Sequence, residues 1–259
     1  SVASEMPADY PEEALKAQAV ASYTYAIMLR QREITTPTAE LKGAYFTADP
    51  SKYKVYISQD IAKQRFGSKF DEYWGKITAC VDAVFGTVAT SGGVPITAAY
   101  FSVSSGKTEY SKNVWGGDVP YLVPVASSWD ASAPGYSTTV SLSADEVKNL
   151  LGSSLGITTF PDDKNSWFTD LARSDSGNVL SLKICGSDSS GVAVRKIFSL
   201  RSANFTVEYS NSSFTFSVLG YGHDVGMSQY GARCMALEGM NWQEILKHYY
   251  TGIELVSVN

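Results

Sequence analysis

The first thirty residues, SVASEMPADYPEEALKAQAVASYTYAIMLR (Ser1–Arg30), decide how the fold of this chain is interpreted. Most of this stretch is rich in Ala, Leu, Lys, Gln and Met, which favour helix. Asp9 and Glu12 stand three residues apart, which is the spacing of a capping box at a helix start. We therefore predict a helix that begins after Asp9 and ends near Glu33, before a β-branched and Pro-containing segment.

Polar residues interrupt the apolar face of this predicted helix. Gln18 and Ser22 share one face with Leu15 and Tyr25, because residues three, four and seven apart lie on the same side of a helix. Buried polar groups need hydrogen-bond partners. This face is therefore expected either to meet backbone or to line a cleft.

Glu5 stands apart from the acidic residues of the helix. Because Pro7 follows one residue later, we expect an extended backbone here. Neighbouring apolar side chains would partly desolvate the carboxyl group, raise its pKa and suit it to donate a proton. The alternative is a surface Glu beside a helix N-terminus, where the helix dipole lowers the pKa.

Composition excludes several classes of protein. The chain has 259 residues, a net charge of -5 and 12% aromatic residues. The negative charge argues against nucleic acid as a partner, and no segment approaches the ~20 apolar residues of a membrane helix. Tyr and Trp suit stacking on sugar rings, although they also fill ordinary cores.

Neither a metal site nor a nucleophilic triad is indicated. The cysteines, Cys80, Cys185 and Cys234, form no zinc motif and no disulfide framework. The histidines, His223 and His248, have no metal-ligand spacing, so we expect no metal and no cofactor. The Ser of GMSQYG (226–231) does not stand in a G-x-S-x-G elbow, which disfavours a hydrolase triad.

The remaining patterns predict an α+β fold. A helix is expected over Lys69–Val84, then a hairpin around the turn SGG (91–93), then a long polar loop over 104–122. VAVRKIFSL (192–200) is predicted to be a strand. We expect two lobes. The main lobe comprises residues 1–135 and 206–259, with the N- and C-terminal helices and mixed strands, and a smaller α+β lobe, 136–205, is inserted in it.

Four segments together resemble one family. SEMP (4–7) with YPEEALKAQAVASYTYA (10–26) resembles the opening motif of the stage II sporulation protein D family. YFSVSSGKTEYSKNVWGGDVPYLVPVASSWD (100–130) is similar to that family's Ser-rich loop, and SLRSANF (199–205) to its Leu-Arg-Ser element. GYGHDVGMSQYGARCMALEGMNWQEILKHYYTGIEL (220–255) resembles its C-terminal signature, and the segments stand in the family's order.

The resemblance implies two α+β lobes that flank a substrate cleft. It also implies a lytic transglycosylase that acts on peptidoglycan glycan strands, preferably stripped of peptides. Such an enzyme cleaves between N-acetylmuramic acid and N-acetylglucosamine and leaves a 1,6-anhydro sugar. The family's essential Glu falls on Glu5, which would serve as both acid and base. Residues expected to bind substrate are Gln18, Tyr25, Ser102, Ser104, Ser105, Thr108, His223, Gln229 and Tyr230.

The chain departs from the family pattern at three places. A common Arg is replaced by Tyr23, which removes any salt bridge or substrate contact that the Arg made. TPTAELKGAYFTADPSKYK (36–54) lacks the Cys and His of the zinc cluster in some relatives. The family's Gly after His223 is Asp224, which could raise the pKa of His223 and is the strongest rival to Glu5.

The family also implies a cellular context. We expect an extracytoplasmic protein, either secreted or anchored by a preceding N-terminal segment, that works with a cell-wall amidase and membrane anchor proteins. The principal alternative is a non-catalytic glycan-binding or scaffold module of the cell wall. A wall amidase or esterase is less favoured, because the chain lacks metal ligands and a triad.

Overall fold

A computed structural model describes residues 1–47, 49 and 57–258. The predicted α+β class is confirmed. The helices are α1 Val2–Glu5, α2 Glu12–Thr35, α3 Gln59–Phe66, α4 Phe70–Val84, α5 Ser111–Trp115, α6 Ala144–Leu155, α7 Gly191–Ile197, α8 Gln229–Leu237 and α9 Trp242–Tyr249. The strands are β1 Thr87–Ser91, β2 Val94–Pro95, β3 Tyr100–Phe101, β4 Ser137–Ser143, β5 Phe168–Arg173, β6 Val179–Ile184, β7 Ser187–Ser189, β8 Phe205–Ser210, β9 Ser213–Leu219, β10 Met227–Ser228 and β11 Glu254–Ser257. Within the described residues, none of the helices combines the length and apolarity required to cross a membrane.

The chain divides into two compact units. Unit 1 comprises residues 1–100 and 232–259, and unit 2 comprises residues 101–231. These bounds differ from the expected inserted lobe, 136–205, which is only part of unit 2. The reason is strand pairing, since β4 pairs along its whole length with β9, and β9 pairs with β8.

Helix α2 is the centre of unit 1. It packs against α4, α9 and β1. Several of its buried residues are alanines, whose small side chains allow neighbouring elements to approach closely. The Thr24 hydroxyl accepts a hydrogen bond from the Ala89 amide at 2.9 Å. The Glu13 carboxylate accepts one from the Trp242 amide at 2.8 Å. Two polar side chains of α2 thus fix the strand and the C-terminal helix of unit 1.

The start of α2 differs from its prediction. The proposed capping box between Asp9 and Glu12 is wrong, because the helix begins at Glu12 with Pro11 as its N-cap residue and no side-chain cap. The Pro11 carbonyl instead accepts hydrogen bonds from the amides of Ala14 and Leu15, each at 3.1 Å. The end of α2 lies at Thr35, two residues beyond the predicted Glu33.

The sheet of unit 1 confirms the predicted hairpin. β1 pairs antiparallel with β2 on one edge and with β11 on the other. Gly92 and Gly93 make the turn, both with positive φ, which glycine adopts without the steric penalty of a side chain. The helix predicted over Lys69–Val84 is present as α4.

An aromatic core holds the sheets of unit 2 together. The rings of Trp167 and Phe214 stack with centroids 5.1 Å apart, and those of Phe198 and Phe216 with centroids 4.8 Å apart. All four side chains are buried. Because Phe214 and Phe216 lie on β9, this strand belongs to the same core as the preceding elements.

The predicted strand over VAVRKIFSL is wrong, because the segment forms helix α7. The Ser190 hydroxyl caps this helix by accepting a hydrogen bond from the Ala193 amide at 3.2 Å. Val194 and Phe198, four residues apart, are both buried. That spacing places them on one helical face. The alternation of Val and Ala in the sequence resembles the two-residue period of a strand, which concealed the helical period.

Candidate functional site

Glu5 is the last residue of the short helix α1. The expected extended backbone at Glu5 is therefore wrong. It begins instead at Met6, with φ -117° and ψ 139°, because Met6 is the residue directly before Pro7. Glu5 as a residue is only partly buried.

An arginine of unit 1 supports the helix that carries Glu5. The Arg65 guanidinium donates hydrogen bonds to the carbonyls of Ala3 and Ser4, at 2.8 and 3.2 Å. These carbonyls lie at the C-terminal end of α1, where a positive charge is favourable. Arg65, which lies on α3 far along the sequence, thus fixes the backbone directly before Glu5.

Tyr100 interacts electrostatically with Glu5, which the sequence did not reveal. Burial, together with the negative charge of Glu5, raises the pKa of Tyr100 to about 12. The Tyr100 hydroxyl also forms hydrogen bonds with the side chain of Ser22 and with Ser1. At neutral pH Tyr100 is therefore a protonated phenol, which can donate a hydrogen bond.

The polar face of α2 belongs to the same cluster. The Gln18 amide donates a hydrogen bond to the Ser22 hydroxyl at 3.0 Å, and Gln18 is fully buried. Tyr25 contributes to the electrostatic environment of Tyr100. We predicted that this face either meets backbone or lines a cleft. The structure adds that other side chains serve as hydrogen-bond partners, because the Tyr100 hydroxyl is a partner of Ser22.

In unit 2, Asp130 joins the Ser-rich loop to the C-terminal signature. Its carboxylate accepts hydrogen bonds from the Ser104 amide at 3.0 Å, the Ser127 hydroxyl at 2.5 Å and the Ser228 hydroxyl at 2.6 Å. The Gly231 amide is a further donor. Burial of Asp130 outweighs these hydrogen bonds and raises its pKa to about 6. This buried carboxyl group sets the relative position of two loops that carry predicted substrate-binding residues.

Asp224 is a second buried carboxyl group of unit 2. One of its oxygens, Oδ2, accepts hydrogen bonds from the Ser105 hydroxyl and the Asn178 amide, both at 3.2 Å, while Oδ1 has no partner in the described part of the chain. Burial raises the pKa of Asp224 to about 7. Its φ of +62° is a left-handed conformation, which accounts for the Gly that the family has here. Because Asp224 is 0% exposed, its carboxyl group faces the protein interior.

His223 has a defined ring orientation. Its Nδ1 accepts a hydrogen bond from the Val225 amide at 3.2 Å, so the proton of the neutral ring is on Nε2. The ring lies against Phe101 and Trp115, with centroid distances of 5.5 and 5.0 Å. Trp115 is 50% exposed, so the pair presents an aromatic surface beside a hydrogen-bond donor.

The predicted substrate-binding residues fall into two groups. Those with accessible side chains are Tyr25, Ser102, Ser105, His223 and Tyr230. Those with buried side chains are Gln18, Ser104, Thr108 and Gln229. Two of the buried ones stabilise the Ser-rich loop: the Ser104 hydroxyl accepts from the Gly106 amide, and the Thr108 hydroxyl accepts from the Val125 amide.

The departures from the family pattern also have structural descriptions. Tyr23, in place of the Arg, packs against Phe85 with ring centroids 5.7 Å apart. Within residues 1–47, 49 and 57–258, no three His, Cys, Asp or Glu side chains are arranged to hold a metal ion. Residues 48 and 50–54 of the segment compared with the zinc cluster lie outside the described residues.

Comparisons with known proteins identify the relatives of this chain. Residues 1–90, which include Glu5 and α2, match the family model described as Stage II sporulation protein, SpoIID. The chain is 35% identical to Stage II sporulation protein D of Bacillus amyloliquefaciens over 98% of this chain and 71% of that protein. It is 34% identical to the Bacillus subtilis protein of the same name, with the same coverage.

A more distant relative is also informative. The protein named Amidase enhancer from Bacillus subtilis is 28% identical over 99% of this chain and 40% of its own length. The two sporulation proteins are more than 30% identical and are matched along most of their length. This chain therefore belongs to the stage II sporulation protein D family.

Proposed function

We propose that this protein is a peptidoglycan lytic transglycosylase in which Glu5 is the general acid and base. The observation that supports this proposal is the placement of Glu5. It is a partly accessible carboxyl group at the end of a braced helix, beside the protonated Tyr100 phenol, within the segment that matches the family model.

A single carboxyl group suffices for this reaction. Ordinary glycosidases use two carboxyl groups, one as acid and one as nucleophile or base. Here Glu5 protonates the glycosidic oxygen as the bond between N-acetylmuramic acid and N-acetylglucosamine breaks. The resulting Glu5 carboxylate then takes the proton from the C6 hydroxyl of the muramic acid as that oxygen attacks C1, which closes the 1,6-anhydro ring. Such acid–base catalysis contributes roughly 10²–10⁴-fold in rate.

Tyr100 supports both stages of the proton transfer. Because its pKa is raised to about 12, it stays protonated while Glu5 alternates between acid and carboxylate. The neutral Tyr100 therefore adds no negative charge to the surroundings of the carboxylate that Glu5 becomes after the first transfer, and Ser22 and Gln18 hold Tyr100 in place.

The accessible polar side chains are the proposed substrate contacts. They are Tyr25, Ser102, Ser105, His223 and Tyr230. For the buried Gln18, Ser104, Thr108 and Gln229, we propose an indirect role in which they hold these contacts in place. The relative named Amidase enhancer supports a cell-wall amidase as a partner. We further propose an extracytoplasmic location and an association with membrane anchor proteins.

Product analysis tests the proposal. Glycan strands stripped of peptides are digested with the wild-type protein, Glu5→Gln and Glu12→Gln, and the products are weighed by mass spectrometry. We expect anhydro products from the wild type and from Glu12→Gln, whose exposed side chain is the matched control, and none from Glu5→Gln. Products that have gained water would show hydrolysis and contradict the proposed chemistry.

A second candidate function is a non-catalytic glycan-binding module. It is favoured by Tyr23, which replaces the family's Arg and packs against Phe85. In that case the wild type and Glu5→Gln would bind glycan strands equally well and neither would cleave them. The same digestion, combined with a binding measurement, separates the two functions.

A further inference from the structure

Unit 2 contains a small pocket with a mixed lining. Its polar residues include Arg195, Asn113 and Glu109, and its apolar residues include Val114 and Val192. His223 also lines it. None of these residues except His223 was assigned a role from the sequence.

Arg195 is the unusual residue of this pocket. It lies on α7 and is partly buried, and this burial lowers its pKa. No hydrogen bond or ion pair joins its guanidinium to any residue that the structure describes; the charge of Asp224 acts on it only through space. A partly desolvated guanidinium, which carries five N–H donors, is costly to leave without acceptors. The pocket therefore presents donors that have no partner among the described residues.

Glu109, the acidic residue in the pocket lining, already has hydrogen-bond partners for both carboxylate oxygens. Glu109 is buried, and its carboxylate accepts hydrogen bonds from the Tyr110 amide and the Asn113 side chain, each at 2.8 Å. The Ser174 hydroxyl and the Asn178 side chain donate to its other oxygen. Glu109 thus has no oxygen left for Arg195. Its negative charge also disfavours an anion in the pocket, which leaves a neutral hydrogen-bonding group as the better fit.

We propose that this pocket binds the acetamido group of an N-acetylated sugar. The carbonyl oxygen of that group accepts from Arg195, and its N–H donates to the side-chain carbonyl of Asn113, whose amide nitrogen is engaged by Glu109. The methyl group packs against Val114 and Val192.

An aromatic surface next to the pocket fits the ring of such a sugar. Trp115 is half exposed and contacts the ring of His223, which itself lines the pocket. The flat face of an indole suits stacking on a sugar ring, whose C–H groups are apolar. This inference rests on the proposed glycan substrate and specifies which substituent of the glycan unit 2 recognises.

Matched ligands test the proposal independently of cleavage. Tetra-N-acetylchitotetraose and cellotetraose, which has hydroxyls in place of the acetamido groups, are titrated by calorimetry into the Glu5→Gln protein, so that no turnover intervenes. We expect the acetylated ligand to bind at least ~10-fold more tightly. Adding Arg195→Met should weaken its binding about 10- to 100-fold, the range for hydrogen bonds to a charged group, and remove the preference.

Two further variants complete the experiment. Lys196→Met removes a positive charge from the exposed neighbour on the same helix and should preserve both affinities. Arg195→Lys should bind weakly, because it keeps the charge but loses the planar fork. Thermal melts check that each variant is folded. Equal affinity for the two ligands, or a preference that survives Arg195→Met, would overturn the proposal, whatever the cleavage assay shows about Glu5.

Discussion

The two units of this protein use carboxyl groups in opposite ways. In unit 1, Glu5 is partly accessible and lies beside the hydroxyl of Tyr100. In unit 2, Glu109, Asp130 and Asp224 are each at most 1% exposed and bind backbone amides, hydroxyls or side-chain amides of loops. The first arrangement can exchange a proton with a bound molecule, whereas the second fixes the shape of the loops.

This difference limits what a shifted pKa indicates. Burial raises the pKa of Asp130 to about 6 and that of Asp224 to about 7, values suited to a general acid or base. Neither group has solvent access, so neither is placed to contact a substrate. Accessibility, and not the pKa, separates the proposed catalytic carboxyl group from the structural ones. Asp224, the rival to Glu5 suggested by the sequence, belongs with the structural ones in this comparison.

The largest expected effect comes from removing a structural carboxyl group. Asp130→Ala leaves the Ser104 amide and the Ser127 and Ser228 hydroxyls without their acceptor in a buried place. At ~1–3 kcal/mol for each buried group left unpaired, we expect a loss of roughly 3 kcal/mol or more. In a thermal melt that corresponds to a fall of about 10 °C.

Two variants show whether this loss is specific to the buried carboxyl group. Asp130→Asn keeps one acceptor oxygen and should lose less stability than Asp130→Ala. Glu5→Gln should leave the melting temperature almost unchanged while abolishing activity. If Glu5→Gln destabilises the protein as much as Asp130→Ala does, the contrast between the two kinds of carboxyl group fails.

A smaller effect is expected at Tyr100. Tyr100→Phe removes a hydroxyl that forms a hydrogen bond with Ser22 and interacts electrostatically with Glu5, and we expect kcat to fall about 10-fold. The pH profile of kcat should also shift, because loss of the polar phenol changes the environment in which Glu5 ionises. Steady-state kinetics across pH measures both.

Tyr23→Phe is the matched control for Tyr100→Phe. It removes a hydroxyl from the same unit at a residue that packs against Phe85, and it should change neither kcat nor its pH profile. A purely structural role for Tyr100 would be revealed by a lower melting temperature with an unaltered pH profile.

A further effect concerns the pH dependence of stability. The pKa of Asp224 is raised from 3.8 to about 7 in the folded protein, so protonation favours folding. Its stabilising contribution is complete below about pH 4 and is lost as the pH rises through about 7, at ~1.4 kcal/mol for each unit of pKa shift. Asp224→Asn, which resembles the protonated acid, should therefore flatten the decrease in melting temperature between pH 5 and pH 8.

Asp118→Asn, a substitution of an exposed Asp, is the control and should keep the wild-type slope. Asp130 acts in the same direction over a lower pH range and is retained in both variants. If Asp224→Asn retains the full wild-type slope, Asp224 is not the titrating group.

Parts of the fold and site were predictable where local chemistry dominates. Helices α2 and α4 and the Gly92–Gly93 hairpin follow from composition and turn residues within a short window. The prediction of a strand at α7 was wrong because the Val and Ala residues there fit both the helical and the strand period. Only the burial of Val194 and Phe198 decides between the two. The prediction of a capping box at Asp9 was wrong because the helix begins two residues later than expected, with Pro11 as its N-cap residue.

By itself, the sequence determined the α+β class, the family and the position of Glu5 within its motif. Only the tertiary structure decided which residues surround each functional group: the interaction of Glu5 with Tyr100, the buried environments of Asp130 and Asp224, and the pocket that contains Arg195. The physical reason is the separation along the chain over which each kind of interaction acts. Helix and turn preferences act over a few residues, whereas burial and hydrogen bonding join residues as distant as Ser105 and Asp224, 119 positions apart.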